Sequence, residues 1–194
     1  MTRGKFIVFE GIDGSGKSTQ AALLKAKLKT TQSQPVYLTR EPTDSPIGSV
    51  IRNILNKRIV TSEKTIAALF LADRLDHIEN PVNGMLPKIE LGEHVISDRY
   101  YLSSYAYHSS HVPLEWVVAA NGQCAELLRP DVTFFIDVHP EYCLKRLQKG
   151  RDFLDLYENL ERLQKVYDNY QLAMAHIEAT EHIVRIDGNQ EVSA

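Results

Sequence analysis

The run Gly11-Ile12-Asp13-Gly14-Ser15-Gly16-Lys17-Ser18, continued by Thr19, combines three glycines, a lysine and a hydroxyl in one short stretch. Glycines let a backbone bend tightly, so that successive N–H groups and a helix N-terminus converge on one anionic group. A phosphate fits such a cradle. Lys17 would add a point charge on the β- and γ-phosphates of a nucleoside triphosphate, and the Ser18 hydroxyl would give Mg²⁺ one oxygen ligand.

Two further clusters suit phosphoryl chemistry. Asp98 and Arg99 stand side by side after the run His94-Val95-Ile96-Ser97. A carboxylate there can hold a metal through water, and a guanidinium can neutralise the oxygens of a transferring group. Lys145, Arg146, Lys149 and Arg151 surround Gly150 at the end of a helical segment. They are candidates for a lid that closes over the nucleotide and keeps water from taking the phosphoryl group. His108 and His111 lie three apart without a nearby carboxylate or cysteine, so an exposed polar turn before Pro113 is expected there, not a metal site. Asn56-Lys57-Arg58-Ile59 begins like a guanine-reading motif but lacks its aspartate, which leaves a nucleotide-operated switch as a competing reading from a different class.

These residues need a scaffold, and the apolar pattern supplies one. Five short runs rich in β-branched and aromatic residues, Phe6 to Phe9, Val36 to Leu38, Val95 to Ser97, Thr133 to Ile136 and Ile183 to Ile186, read as buried strands. Helix-period stripes lie between them, such as Ile47, Val50, Ile51, Ile54 and Leu55, or Leu156, Leu160, Leu163, Tyr167 and Tyr170. Asn80-Pro81-Val82-Asn83-Gly84 either ends or kinks a helix running on from Thr65. Alternating strand and helix predict a parallel α/β sheet with right-handed crossovers. Ligands of such sheets bind beyond the carboxyl ends of the strands, which selects Glu10 to Ser18, Thr39 to Pro42, Asp98-Arg99 and Asp137.

A chain of 194 residues suits one domain that buries roughly 70% of its unfolded surface. With 22 basic and 25 acidic residues, net charge -3, a protein that binds nucleic-acid polymers through a basic surface is disfavoured. Cys124 and Cys143 are too few and too distant for a zinc or disulfide framework, and are expected in the core of a protein of the reducing cytoplasm. The first residues carry no signal-peptide apolar core, and no run is long enough to span a bilayer.

Taken together, the sequence resembles the thymidylate kinases, nucleoside-monophosphate kinases that make dTDP from dTMP and ATP. The likeness runs nearly end to end. It is carried by Phe-Glu-Gly-Ile-Asp-Gly-Ser-Gly-Lys-Ser-Thr at 9–19, Thr-Arg-Glu-Pro at 39–42, Leu-Phe-Leu-Ala-Asp-Arg at 69–74 and Asp-Arg-Tyr at 98–100. Weaker support comes from Pro130-Asp131 to Asp137 and from Ile186-Asp187. The resemblance implies a three-layer P-loop NTPase fold: one domain over 1–194, with a five-stranded parallel sheet flanked by helices and a short lid at about 147–156.

It also implies roles. Asp13 and Glu41 would lie near the sugar 3′-hydroxyl of dTMP and the metal's water shell, and Arg52 would grip the monophosphate. Phe70 would stack on thymine, Arg74 would hydrogen-bond its O4, and Ser104 would face N3. Tyr107 would crowd the sugar 2′ position and so favour deoxy substrates. Mg²⁺ would be the metal, held by Ser18 and Asp98, and members pair through helices, so a homodimer is implied.

Two positions depart from the family pattern. His108 stands where many bacterial members have a glutamine that contacts the base, which leaves open a kinase for another (deoxy)nucleoside monophosphate. Gly14 stands where some members carry an arginine in the phosphate loop. The charge of the transferring group then falls to Arg146, Lys149 or Arg151, with Arg151 favoured.

Overall fold

The structure, a computed structural model, describes residues 2–148 and 160–190. Its elements are β1 (Phe6–Glu10), α1 (Lys17–Thr31), β2 (Val36–Arg40), α2 (Pro46–Leu55), α3 (Glu63–Glu79), α4 (Met85–Glu90), β3 (His94–Asp98), α5 (Tyr101–His108), α6 (Leu114–Leu127), β4 (Val132–Asp137), α7 (Pro140–Gln148), α8 (Leu160–Ile177) and β5 (Ile183–Asp187). The strands form one sheet in the order β2-β3-β1-β4-β5, and every pairing is parallel. Helices flank it, as the alternating pattern predicts.

All five expected strands are present, and each runs at least one residue further than its apolar stretch. The ladder needs only backbone N–H and C=O groups, so polar residues can close it. Each strand ends on a charged side chain: Glu10, Arg40, Asp98, Asp137 and Asp187. Phe9 pairs with Asp98 and Asp98 with Arg40, while Glu10 pairs with Phe135 and Asp137 with Asp187. These charges therefore line one rim of the sheet.

Apolar residues fill the sheet interior. Phe6, Val8, Val95, Ile96, Phe135 and Ile136 are buried, as are Cys124 and Cys143. Tyr100 meets Phe6 edge-on with centroids 5.0 Å apart. On one side of β1 the chain places β2 and β3, on the other β4 and β5, so the carboxyl end of β1 opens where the sheet changes its direction of growth, the position at which parallel sheets bind ligands.

The segment at 80–84 ends α3, and Met85 opens the separate helix α4. Ser45 caps α2, accepting from Gly48 N, with Pro46 at the first helical position, and Ser62 caps α3 by accepting from Thr65 N. By contrast α1 starts at Gly16 in a left-handed conformation (φ 102°) with no side-chain cap. Its first amides are left for a ligand. Of the stripe ending at Tyr170, Leu156 lies outside the described residues, as do positions 149–156 of the expected lid.

Candidate active site

The loop after β1 closes on itself. Ser15 N donates to Ile12 O at 3.2 Å, and Lys17 Nζ reaches back to the same carbonyl at 2.9 Å. Gly14 adopts φ 81°, and a Cβ there would stand 2.7 Å from the Cys143 carbonyl oxygen. The absence of an arginine at this position is thus built into the fold, because a side chain would be strained in conformation and would strike α7. Burial lowers the Lys17 pKa and the Arg99 charge lowers it further, while Asp13, Asp98 and Glu10 pull it back up.

Beside the loop, Ser18 Oγ donates to Asp98 Oδ2. Asp98 Oδ1 is buried without a hydrogen-bond partner among the described residues, and so is Ser15 Oγ. An unsatisfied carboxylate oxygen facing a hydroxyl at a phosphate loop suits a hard divalent cation that takes oxygen ligands. Among the described residues there is no cluster of three or more His, Cys, Asp or Glu side chains able to hold a metal. The donor set present is the sparse one expected where phosphates and water supply the other ligands.

Arg99 has φ 76° and turns its guanidinium under the loop. Its Nη2 donates to Asp13 Oδ1 and to Tyr107 OH at 3.0 Å. Its Nη1 donates to Ser103 Oγ at 3.0 Å and approaches Tyr170 OH at 3.3 Å and Gly11 O at 3.4 Å. Tyr107 OH donates in turn to Asp13 Oδ2 at 3.0 Å. Burial pushes the Asp13 carboxyl up, but Arg99, Lys17 and the Tyr107 hydroxyl outweigh it, so its pKa falls below the usual value.

Asp13 borders two cavities. The larger, of about 810 Å³, runs along residues 13–20 to Arg146, Ile186 and the turn at 187–190. Arg146 spans it, donating to Ser15 O at 3.3 Å and to Gly188 O at 2.9 Å. The smaller, of about 180 Å³, is lined by Glu41, Phe70, Arg74, Arg99, Ser104, Tyr107 and His108 among others. All but one of the expected acceptor-side residues converge there. The exception, Arg52, is not among its lining residues; it bonds the carbonyls of Pro42 and Thr43 and the Ser49 hydroxyl.

Inside the smaller cavity Arg74 is 1% exposed. Its Nε and Nη2 donate to Glu41 Oε2 at 2.9 and 2.6 Å, and its Nη1 donates to Asn121 Oδ1 at 2.5 Å. His77 bridges the other side of the pair, with Nε2 2.8 Å from Thr39 Oγ1 and Nδ1 3.2 Å from Glu41 Oε1. Burial works to raise the Glu41 pKa, but the Arg74 charge and His77 bring it below the usual range. Ser104 Oγ is buried with no partner among the described residues, a polar atom left for something else to satisfy.

His108 differs from the exposed turn expected of it. It is the last residue of α5, 3% exposed, with its ring 5.0 Å from that of Phe70. Burial, then the charges of Arg74 and His111, push its pKa down to about 3, so the imidazole is neutral. Every residue of α5 is buried, and the helix packs against α3, α6 and α8. His111, by contrast, is exposed.

Several supporting residues receive no role from the sequence. Asp73 accepts from Thr43 N at 2.8 Å, Thr43 Oγ1 at 2.6 Å and Ser45 Oγ at 3.1 Å. It thereby ties α3 to the start of α2. Spacing marks Tyr170 only as inward-facing on α8, and no local pattern singles out His77 on α3 or Asn121 on α6. Lys149 and Arg151 lie outside the described residues.

A parallel sheet in this order, with a glycine-rich loop cradling an uncapped helix start and an Asp-Arg pair on the next strand, defines a P-loop nucleotide kinase. A family model described as thymidylate kinase matches residues 9–194. The chain is 40% identical over 175 residues to "Probable thymidylate kinase" of Pyrococcus horikoshii, covering 87% of this chain and 82% of that protein. It is 34% identical over 190 residues to "Thymidylate kinase" of Plasmodium falciparum, covering 98% and 85%. Identity to "Probable thymidylate kinase" of Methanocaldococcus jannaschii is 39% over 172 residues, covering 88% and 81%. The chain belongs to the thymidylate kinase family.

Proposed function

We propose how this chain performs the reaction that its family membership sets, transfer of the γ-phosphoryl group of ATP to dTMP to give dTDP. ATP lies along the larger cavity, its triphosphate on residues Gly11 to Thr19 and its base toward Arg146. Thymidylate lies in the smaller one, with Phe70 on the ring, Arg74 at O4, Ser104 and His108 at the base edge, Tyr107 beside the sugar, Glu41 near the 3′-hydroxyl and Arg52 at the phosphate. The observation that carries this reading is that Asp13, paired to Arg99, borders both cavities.

Attack by a dTMP phosphate oxygen on the γ-phosphorus forms one O–P bond and breaks the bond to the β,γ-bridging oxygen, and ADP leaves. A phosphomonoester with a second pKa near 6 is already largely dianionic, so no general base is needed. The work is positioning and charge cancellation. Lys17 and Arg99 neutralise the oxygens between the two nucleotides, while Asp13 and Tyr107 hold Arg99 in place. Lys149 and Arg151, and Arg146 from the donor side, complete the charge ring as part of a lid. Ser18 and Asp98 would hold Mg²⁺, which would cancel part of the charge on the phosphate oxygens.

The same reading treats residues 1–194 as one catalytic domain that acts as a homodimer in the cytoplasm with no membrane or nucleic-acid partner. Among the described residues no helix is long and apolar enough to cross a membrane. Incubating the purified chain with Mg²⁺, ATP and dTMP, dUMP, dCMP or dGMP tests it. Production of dTDP with dTMP as the preferred acceptor is expected; ADP release that ignores added monophosphate overturns it.

A further inference from the structure

Glu10, the last residue of β1, is fully buried, yet its carboxylate receives a hydrogen bond from every direction. Oε1 accepts from Tyr100 N at 2.9 Å and Ser103 N at 3.1 Å. Oε2 accepts from Ser103 Oγ at 2.5 Å and Tyr170 OH at 2.9 Å. Both hydroxyls also face Arg99 Nη1, at 3.0 and 3.3 Å. A hydroxyl has one proton to give. With those protons turned to Glu10, the lone pairs of Ser103 and Tyr170 are left toward the guanidinium.

Tyr170 belongs to α8, far in sequence from β1 and β3, and is 0% exposed. Its ring rests against Phe135, with centroids 5.2 Å apart, and meets the Tyr107 ring edge-on at 6.2 Å. Packing thus fixes the ring independently of the hydroxyl. Arg99 in turn is gripped on Nη2 by Asp13 and Tyr107 and on Nη1 by this second set. Two fixed nitrogens determine the plane of a guanidinium.

We propose that Tyr170 is a positioning residue for the transfer reaction. Its hydroxyl, polarised by Glu10 and assisted by Ser103, fixes the plane in which Arg99 meets the transferring phosphoryl group. The inference rests on the placing of Arg99 between donor and acceptor argued above. A core tyrosine that is merely satisfied would stabilise the fold and do nothing selective to turnover.

The test is a double-mutant cycle of Tyr170→Phe and Arg99→Lys. Tyr170→Phe keeps the ring, so kcat is expected to fall about 10-fold, the scale of a lost hydrogen bond to a charged group, with KM for ATP and dTMP each within about twofold. In the Arg99→Lys background, the same change is expected to lower kcat less than about twofold. Ser103→Ala, run through the same cycle, provides a second arm should Tyr170→Phe prove unstable in a melting experiment. Unchanged kcat in a folded Tyr170→Phe variant, or losses that multiply fully in the Arg99→Lys background, overturn the proposal. Failure of the unsubstituted chain to form dTDP sinks the functional reading itself, whereas an active chain indifferent to Tyr170 sinks only this step.

Discussion

Asp13 and Arg99, 86 residues apart in sequence, form an ion pair, and Asp13 borders both the cavity beside the glycine-rich loop and the smaller one around Arg74. One comes from the glycine-rich loop and the other from the residue after β3, and neighbouring pairing of β1 with β3 brings them together. On the proposed reading the pair sets a cation under the point at which two anionic nucleotides approach.

Removing a cation from that point leaves the repulsion uncompensated. Lys17→Ala and Arg99→Ala are each expected to lower kcat by about 10²-fold or more, the usual cost of losing one electrostatic stabiliser. Steady-state rates of ADP formation with both substrates saturating check this, and near-normal rates in both variants contradict it.

Arg74→Ala acts on the acceptor side. It is expected to raise KM for dTMP more than KM for ATP, and also to lower thermal stability, because Glu41 would be left buried without its cation. Breaking a buried pair by removing one partner costs about 3–5 kcal/mol. Glu41→Gln combined with Arg74→Ala should recover part of the stability and none of the dTMP affinity; denaturation curves and separate KM measurements distinguish the two effects.

The buried imidazole of His108 makes acid costly. Its pKa is depressed from 6.5 to about 3, so between those values the unfolded chain binds a proton that the folded chain excludes, and stability falls as pH drops. Above about 6.5 the contribution is flat. Asp13 and Glu41, whose pKa values are lowered, also lose their contribution in acid, so the readout is the difference between the chain and His108→Gln. Melting temperatures of the two should diverge progressively as pH falls from 6.5, with the unsubstituted chain losing more; parallel curves would refute the assignment.

Gly14→Arg, which restores the side chain some relatives carry in the loop, is expected to impair this chain. The left-handed conformation costs a side chain about 1–2 kcal/mol, and the Cys143 carbonyl stands where its Cβ would go. Lower melting temperature together with weaker ATP binding by calorimetry would bear this out, and a gain in turnover would count against it.

Residues whose chemistry depends on neighbours in sequence are readable in advance. The loop at 11–19, Asp98-Arg99 and the five strands belong to this group, because local spacing alone encodes a turn, a rim position or an apolar run. Tyr170 illustrates the opposite case. Its stripe mates Leu163 and Tyr167 mark an inward helix face, but nothing local says that its hydroxyl meets Glu10, 160 residues away. His108 was misjudged for a related reason. A polar residue near a proline reads as a turn, and only the burial of all of α5 puts the ring beside Phe70. The resemblance offers Arg74 as a ligand group, while its clamp by Glu41 and Asn121 depends on tertiary contacts.

All five strands hand over to a charged residue at the same edge, one or two positions beyond the last apolar residue. Chemistry and scaffold are therefore written in adjacent but separate letters of each strand. Redesigning which nucleotides meet on this edge is a matter of altering a thin border of side chains, and the sheet beneath can be inherited unchanged.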